Sequence, residues 1–446
     1  MKPPRRTAAE SQPVQPQLTQ PQLVKIAKPV YGGSFLAHVE GKAVFVPLTL
    51  PGEQARVRIT EDKRGYATAE VEEIVSASPE RVKPVCRHFG VCGGCNYQYA
   101  DYATQLAFKQ AILRETLERA LERAGVAVPE EMASLFAAPL AYRNRIRLAF
   151  DAAGNPGYRG RRSHSVIPID ECPIAAPLLI QAAQSAAAVA RPFAPAFRPT
   201  EIALFCNADE TQLLASVFTV SAKKVRFDEF AQALAEQVPA LVGAELVLEG
   251  RASEQPRTVA HWGAPSLLYR AAGFDYRVDR GAFFQVNRWL IDEFVERVTA
   301  GHHGSLAWDL YAGVGLFARR LTTSFARVIA VESAPSATQA LAANLKHTTG
   351  IPIRATTLDF LRRDHKGEKP GLIVMDPPRT GLGPEVCTLL AEIAAPALVY
   401  VSCDPATLAR DLRALTASGY SIQSIALADL FPQTFHLETV AVLRRS

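Results

Sequence analysis

The chain has 446 residues, 48% of them hydrophobic and 21% charged, proportions that exclude a disordered or collagen-like chain and leave room for about three domains of roughly 150 residues. Lys and Arg number 49 against 44 Asp and Glu, a net charge of +5 that permits a polyanionic partner without requiring one. No window approaches the ~20 apolar residues of a membrane span and no signal-peptide core is present, so a cytoplasmic protein is expected, whose seven cysteines read as metal ligands, nucleophiles or core thiols.

Residues 1–20, rich in Pro, Gln and Ser, read as a disordered tail. Across 21–76 short alternating runs are broken by turn chemistry at Glu40-Gly41, Pro51-Gly52 and Asp62 to Gly65, which predicts a small OB-like β-barrel. Lys63, Arg64 and Tyr66 fall on a predicted hairpin where a nucleobase could stack.

Residues 77–280 read as a β-rich central domain carrying a cysteine cluster. Cys86, Cys92 and Cys95 lie close together, Gly93-Gly94 forms the turn between two of them, and Cys172 is a possible distant fourth. Four thiolates suit structural zinc and an iron–sulfur cluster equally well. Cys206 and Cys387 have no such neighbours and read as core thiols. Leu106, Leu113, Leu117 and Leu121 mark one stripe of a helix over 101–124, capped by Asp101 and Gly125, and this helix is expected to pack on the domain formed by residues 281–446. Arg143, Arg145 and Arg147 alternate along a predicted strand and are followed by Tyr158, Arg159, Arg161, Arg162 and His164, a row of cations expected to track phosphates.

From about residue 281 to 446, apolar strands alternate with amphipathic helices, as in a doubly wound α/β sheet. Seven strands are predicted at Leu306–Leu310, Val328–Val331, Ile353–Thr357, Leu372–Met375, Leu398–Ser402, Ile422–Leu427 and Thr439–Leu443, the last reversed because no helix precedes it. The set suits a Rossmann-like methyltransferase domain. Asp309-Leu-Tyr311-Ala-Gly313-Val-Gly315 ends the first strand, Glu332 the second, and Asp359 follows the third. They mark a nucleoside site, with Glu332 on the ribose and Asp359 near the adenine. Asp376-Pro-Pro-Arg379 ends the fourth strand, and Ser402-Cys403-Asp404-Pro405 the fifth. A thiol just before a helix is expected to have a lowered pKa and to act as a nucleophile.

Five segments together, Phe284-Gln285-Val286-Asn287, Asp309 to Phe317, Asp376 to Arg379, Ser402 to Asp411 and Pro432 to Val440, resemble the bacterial RNA uracil-C5 methyltransferases, in the ribosomal branch with an iron–sulfur cluster. The barrel resembles the TRAM domain of that branch. The resemblance implies an S-adenosylmethionine cofactor contacted by Gln285, Tyr311, Glu332 and Asp376, to which the strand-end reading adds Gly313 and Asp359, with nucleophile Cys403 and general base Glu438. It also implies a 4Fe–4S cluster on Cys86, Cys92, Cys95 and Cys172, preferred to zinc, and 23S rRNA as partner; a monomer is expected. Ala312 and Leu316 depart from the family pattern, which commonly has Cys and in some members Asn there. The rivals are a transfer-RNA uracil-C5 methyltransferase, expected to lack both barrel and cluster, and a non-catalytic RNA-binding or ribosome-assembly factor.

Overall fold

A computed structural model describes residues 20–193, 197–221, 226–250, 255–364 and 367–445. The chain divides into two compact units, Met1–Arg81 and Val82–Ser446. In the first, six strands lie in the order Gln22–Lys25, Gln54–Asp62, Tyr66–Ser76, Lys42–Pro47, Ser34–Val39, Lys28–Val30. Alternate residues (Phe35, Ala37, Val44, Val46, Ala55, Val57) are buried, the period-2 pattern of strands with one wet face. Gly41 and Gly52 turn the chain at φ of +80° and +86°. The buried Glu53 carboxylate holds the closing segment, pairing with Arg81 at 2.6 Å and accepting from the Ser78 and Leu50 amides.

The second unit contains two large sheets. The first is built from Val166–Pro168, Pro156–Arg159, Arg145–Phe150, Pro199–Cys206, Leu213–Thr219, Leu241–Leu248 and Arg257–Gly263, in that spatial order. The helices Pro177–Ala190 and Phe227–Gln237 share its core with Ile146, Leu148, Ile202 and Leu204. The helix Pro177–Ala190 is rich in alanine, and its small side chains Ala182, Ala183 and Ala186 allow close approach to the sheet.

The other sheet has the order Gly350–Arg354, Phe325–Glu332, Gly304–Leu310, Leu372–Met375, Ala397–Ser402, Glu438–Arg445, Tyr420–Ala428, Ala133–Leu135. All the pairings run parallel except those of Glu438–Arg445, the reversed strand. The seven predicted strands are present, the third shifted to Gly350–Arg354, and Ala133–Leu135 adds an eighth parallel to Tyr420–Ala428. The hairpin Ser266–Ala271/Phe274–Asp279 buries Leu267, Tyr269, Tyr276 and Val278 in the core of this sheet rather than in the core of the other.

The helix Tyr102–Leu121 begins at Asp101, whose side chain accepts the Thr104 amide, and its 3-10 extension ends at left-handed Gly125. It packs on the helix Pro405–Ala417. Besides Leu113, Leu117 and Leu121 it buries Gln105 and Lys109, and these polar residues tie it to the loop before Glu438 rather than to a purely apolar seam.

Candidate active site

Ligands of open α/β sheets bind at the carboxyl ends of the strands, and the predicted residues gather there. Asp309 is fully buried. One of its oxygens accepts the Ala318 amide at 2.7 Å, closing the loop back on its strand, and Oδ1 has no partner. Burial, with lesser contributions from Asp376 and Glu332, pushes its pKa up to about 8. Tyr311 takes a left-handed φ of +64°, a strained conformation for a side-chain-bearing residue. Gly315, at φ +90°, leaves no room for a Cβ, which would lie 2.7 Å from Leu341 Cδ1, whereas Gly313 faces open space. Gly315 is thus packed closely while the Gly313 position stays open.

Glu332 clasps this loop: Oε2 accepts the Gly313 amide at 2.9 Å, and Oε1 accepts the Ser333 and Ala334 amides. Oε2 keeps capacity for a further donor such as a hydroxyl. Gln285, Tyr311, Gly313 and Asp376 line one cavity with Phe284 and Leu316. Asp359 is not among its lining residues. The third strand ends three residues earlier than expected, so Thr356 caps the short turn Thr357–Asp359, and the exposed Asp359 carboxylate is engaged by the Thr356 hydroxyl at 2.7 Å.

The second cluster rests on strand register. Ser402 pairs with Thr439 at the end of an antiparallel ladder, so Cys403 and Glu438 each lie one residue beyond that last pair. Asp376 follows the neighbouring strand Leu372–Met375. Glu438 is 5% exposed with Oε1 unpartnered. Burial and the nearby Asp376 carboxylate raise its pKa well above the ordinary value, and Arg379 opposes them. Asp376 is raised to about 7 by burial.

Cys403 departs from its expected electrostatics. Asp404 caps the following helix through the Ala406 and Thr407 amides, yet the thiol is pushed up to about 11, by burial first and then by Glu438 and Asp376, with Arg379 opposing. The helix terminus is outweighed by two carboxylates and a dry setting. Sequence reading gave no role to Arg379 or His436, although both lie in quoted motifs. The Arg379 guanidinium is 3.1 Å from His436 Nδ1, and burial holds His436 down at about 4.

Cys86, Cys92, Cys95 and Cys172 line a single cavity with Arg143 and Tyr158. Gln98 donates to Cys95 Sγ at 3.3 Å and the Gly94 amide to Cys92 Sγ at 3.4 Å. Among the described residues no three His, Cys, Asp or Glu converge as one metal ion requires. Cys206 and Cys387 are buried.

The arginine row is spent differently from the expectation. Arg143 lines the cysteine cavity. Arg145 stacks over Phe205 and donates to the Ala282 carbonyl, and Arg147 stacks over Phe218 and shares Glu201 with Arg159. Arg147, Arg159, Arg161 and Arg162 nevertheless line an open groove with Gly93 and Gly94. The Gly93 amide bonds the Arg159 carbonyl there.

Residues 17–71 match the TRAM domain and 364–446 match the tRNA (Uracil-5-)-methyltransferase family. A Thermotoga maritima protein described as an uncharacterized RNA methyltransferase is 31% identical, covering 94% of this chain and 98% of its own. The Chromohalobacter salexigens 23S rRNA (uracil(1939)-C(5))-methyltransferase RlmD is 32% identical over 91% of this chain and 85% of its own. The crystal structure of Pyrococcus abyssi tRNA (uracil-54, C5)-methyltransferase with S-adenosyl-L-homocysteine superposes with a TM-score of 0.74 at 23% identity, covering 94% of this chain and 99% of that one. That protein, named for a transfer RNA, shares nearly the whole architecture, so the overall fold does not by itself select ribosomal RNA.

Proposed function

The chain belongs to the RNA uracil-C5 methyltransferase family, and on that premise we propose that it methylates C5 of a uridine in 23S rRNA, with Cys403 as nucleophile and Glu438 as general base. The observation that carries the reading is that Cys403 and Glu438 flank the last pair of the antiparallel register, Ser402 with Thr439, and that the Glu438 and Asp376 carboxylates both act on the Cys403 thiol. C5 of uracil is a weak nucleophile and must be activated. The Cys403 thiolate adds to C6, and the C5–C6 electron pair moves toward O4, leaving C5 electron-rich. S-adenosylmethionine, held by Gln285, Tyr311, Gly313, Glu332 and Asp376, supplies the methyl group when bound. Glu438 then takes the C5 proton, and the freed pair re-forms C5–C6 and expels the Cys403 sulfur. Arg379 is the cation that favours both the thiolate and the ionised base. Asp359 takes no part in this reading.

Cys86, Cys92, Cys95 and Cys172 hold a 4Fe–4S cluster in this proposal. Four thiols lining one cavity suit structural zinc and an iron–sulfur cluster alike, and the resemblance to the ribosomal branch is what favours the cluster. A cluster saturated by protein thiolates supplies a cross-link between the Cys86–Cys95 segment and Cys172. RNA would follow the groove of Arg147, Arg159, Arg161 and Arg162, with Lys63 and Tyr66 of the barrel as further contacts. The proposed domains are 21–76, 77–280 and 281–446, in a cytoplasmic monomer. A second reading, a transfer-RNA substrate, is favoured by the architecture shared with the Pyrococcus abyssi protein. The relative named for 23S rRNA at 32% identity favours the first.

Incubation with ribosomal and transfer RNA separates the two readings by which becomes 5-methyluridine. Cys403→Ala should abolish methylation while leaving S-adenosylhomocysteine binding intact. Glu438→Gln should accumulate a covalent RNA adduct on a denaturing gel. Turnover by Cys403→Ala would contradict the addition mechanism.

A further inference from the structure

The loop 429–437 leads directly into the strand that begins with Glu438, and residues about 300 positions earlier grip it. Gln105, buried on the helix Tyr102–Leu121, makes a reciprocal pair with Gln433: its Oε1 accepts the Gln433 amide at 3.0 Å and its Nε2 donates to Gln433 Oε1 at 3.0 Å. The same Nε2 is anchored on the Ala100 carbonyl at 2.9 Å. From the segment just after Cys95, the Asn96 and Tyr97 amides donate to the Gln433 carbonyl at 2.8 and 3.1 Å. Asn96 Oδ1 accepts the Phe435 amide at 3.4 Å. Gln433 therefore has its amide, carbonyl and side chain all fixed from one side, and it sits at φ +67°, where a residue with a Cβ stays only when its surroundings hold it.

We propose that Gln105 and Asn96 are positioning residues that hold Gln433 in its left-handed conformation and so set where Glu438 enters the site. The proposal rests on the reading of Glu438 as the base. The chain turns at Gln433 and reaches Glu438 through Thr434, Phe435, His436 and Leu437. Thr434 is fastened to the Phe431 carbonyl at 2.8 Å and Leu437 is fully buried. A change of backbone conformation at Gln433 thus has little room to relax before Glu438, and misplacing a reacting group by ~1 Å costs about 100-fold in rate. Cys403 directly follows a different strand, Ala397–Ser402, which the Gln105 and Asn96 hydrogen bonds do not engage. Loss of the grip should slow proton removal and spare the addition of the thiolate.

The test compares Gln105→Leu and Asn96→Ala with Glu438→Gln and wild type in the full-length enzyme, following adduct on denaturing gels alongside turnover, S-adenosylhomocysteine affinity and thermal melting. Expected for Gln105→Leu is turnover lower by about 100-fold, adduct accumulating as in Glu438→Gln, and unchanged S-adenosylhomocysteine binding. Asn96→Ala should move the same way by a smaller factor, and it serves if Gln105→Leu does not fold. Adding Gln433→Gly to Gln105→Leu should restore turnover, because glycine adopts the left-handed conformation without support. Adduct in Glu438→Gln but in neither positioning variant overturns this proposal alone, as does a parallel loss of adduct and turnover. No adduct in Glu438→Gln overturns the base reading and this proposal with it.

Discussion

At the residue scale the site is defined by acids kept from water. Asp309 lies in an almost wholly apolar strand, which makes it legible as a special carboxylate, but its raised pKa comes from burial that only the packed sheet imposes. An acid whose folded pKa exceeds its unfolded one binds its proton more tightly in the fold. Its stabilising contribution is therefore full below the ordinary value of 3.8 and is lost as pH rises through about 8. Asp309→Asn should flatten that part of the profile in thermal melts between pH 4 and 8, and an unchanged slope would remove Asp309 as its source. At Gly315 the φ of +90° and the 2.7 Å approach of a Cβ to Leu341 predict that Gly315→Ala loses about 1–3 kcal/mol in urea unfolding. Gly313→Ala, strained at φ +56° but with nothing near its Cβ, should lose less stability while still weakening S-adenosylhomocysteine binding, if the cofactor approaches the loop there. Cys403 teaches the opposite lesson from Asp309. A helix start next to a cysteine was readable, whereas the burial that, with Glu438 and Asp376, pushes the thiol to about 11 exists only in the packed structure.

At the element scale the helix Tyr102–Leu121 was legible from its caps and leucine stripe, because capping and 3.6-residue periodicity are local properties. Its polar burial was not legible. Lys109 and Asp429 form an ion pair with neither side chain exposed, at 2.6 Å, and Tyr102 adds a hydrogen bond to the same carboxylate. Replacing one member leaves the other charge buried without its partner. Lys109→Met should therefore cost about 3–5 kcal/mol in denaturant unfolding, and Lys109→Met with Asp429→Asn should recover much of that. Equal losses in the single and double variants would show that the pair acts through packing alone. The arginine strand shows the same limit. Alternation put Arg145 and Arg147 on one face as expected, but that face meets Phe205 and Phe218, which no reading of one strand reveals.

At the scale of the whole molecule, the division after Arg81 predicts that residues 82–446 expressed alone bind S-adenosylhomocysteine as the full chain does. They should bind RNA with a shallower salt dependence, the slope of log affinity against log salt falling by about 2 if Lys63 and Arg64 each neutralise one phosphate. The cluster proposal is tested on the same scale: anaerobically purified protein should carry iron and a broad visible absorption, both lost in Cys95→Ser, and zinc without iron would overturn it. Sequence alone determined the class of this protein, because strand periodicity, glycine placement and motif order are written along the chain, and so are the residue types that nucleophilic and base chemistry require. Tertiary structure decided which of those residues meet. It brought Cys403 and Glu438 to the two sides of the Ser402–Thr439 pair, engaged Asp359 with the Thr356 cap, turned Arg143 onto the cysteines and fastened the loop before Glu438 to a helix more than 300 residues upstream in sequence. The physical reason is that register, burial and long-range hydrogen bonds depend on partners that only folding brings within reach.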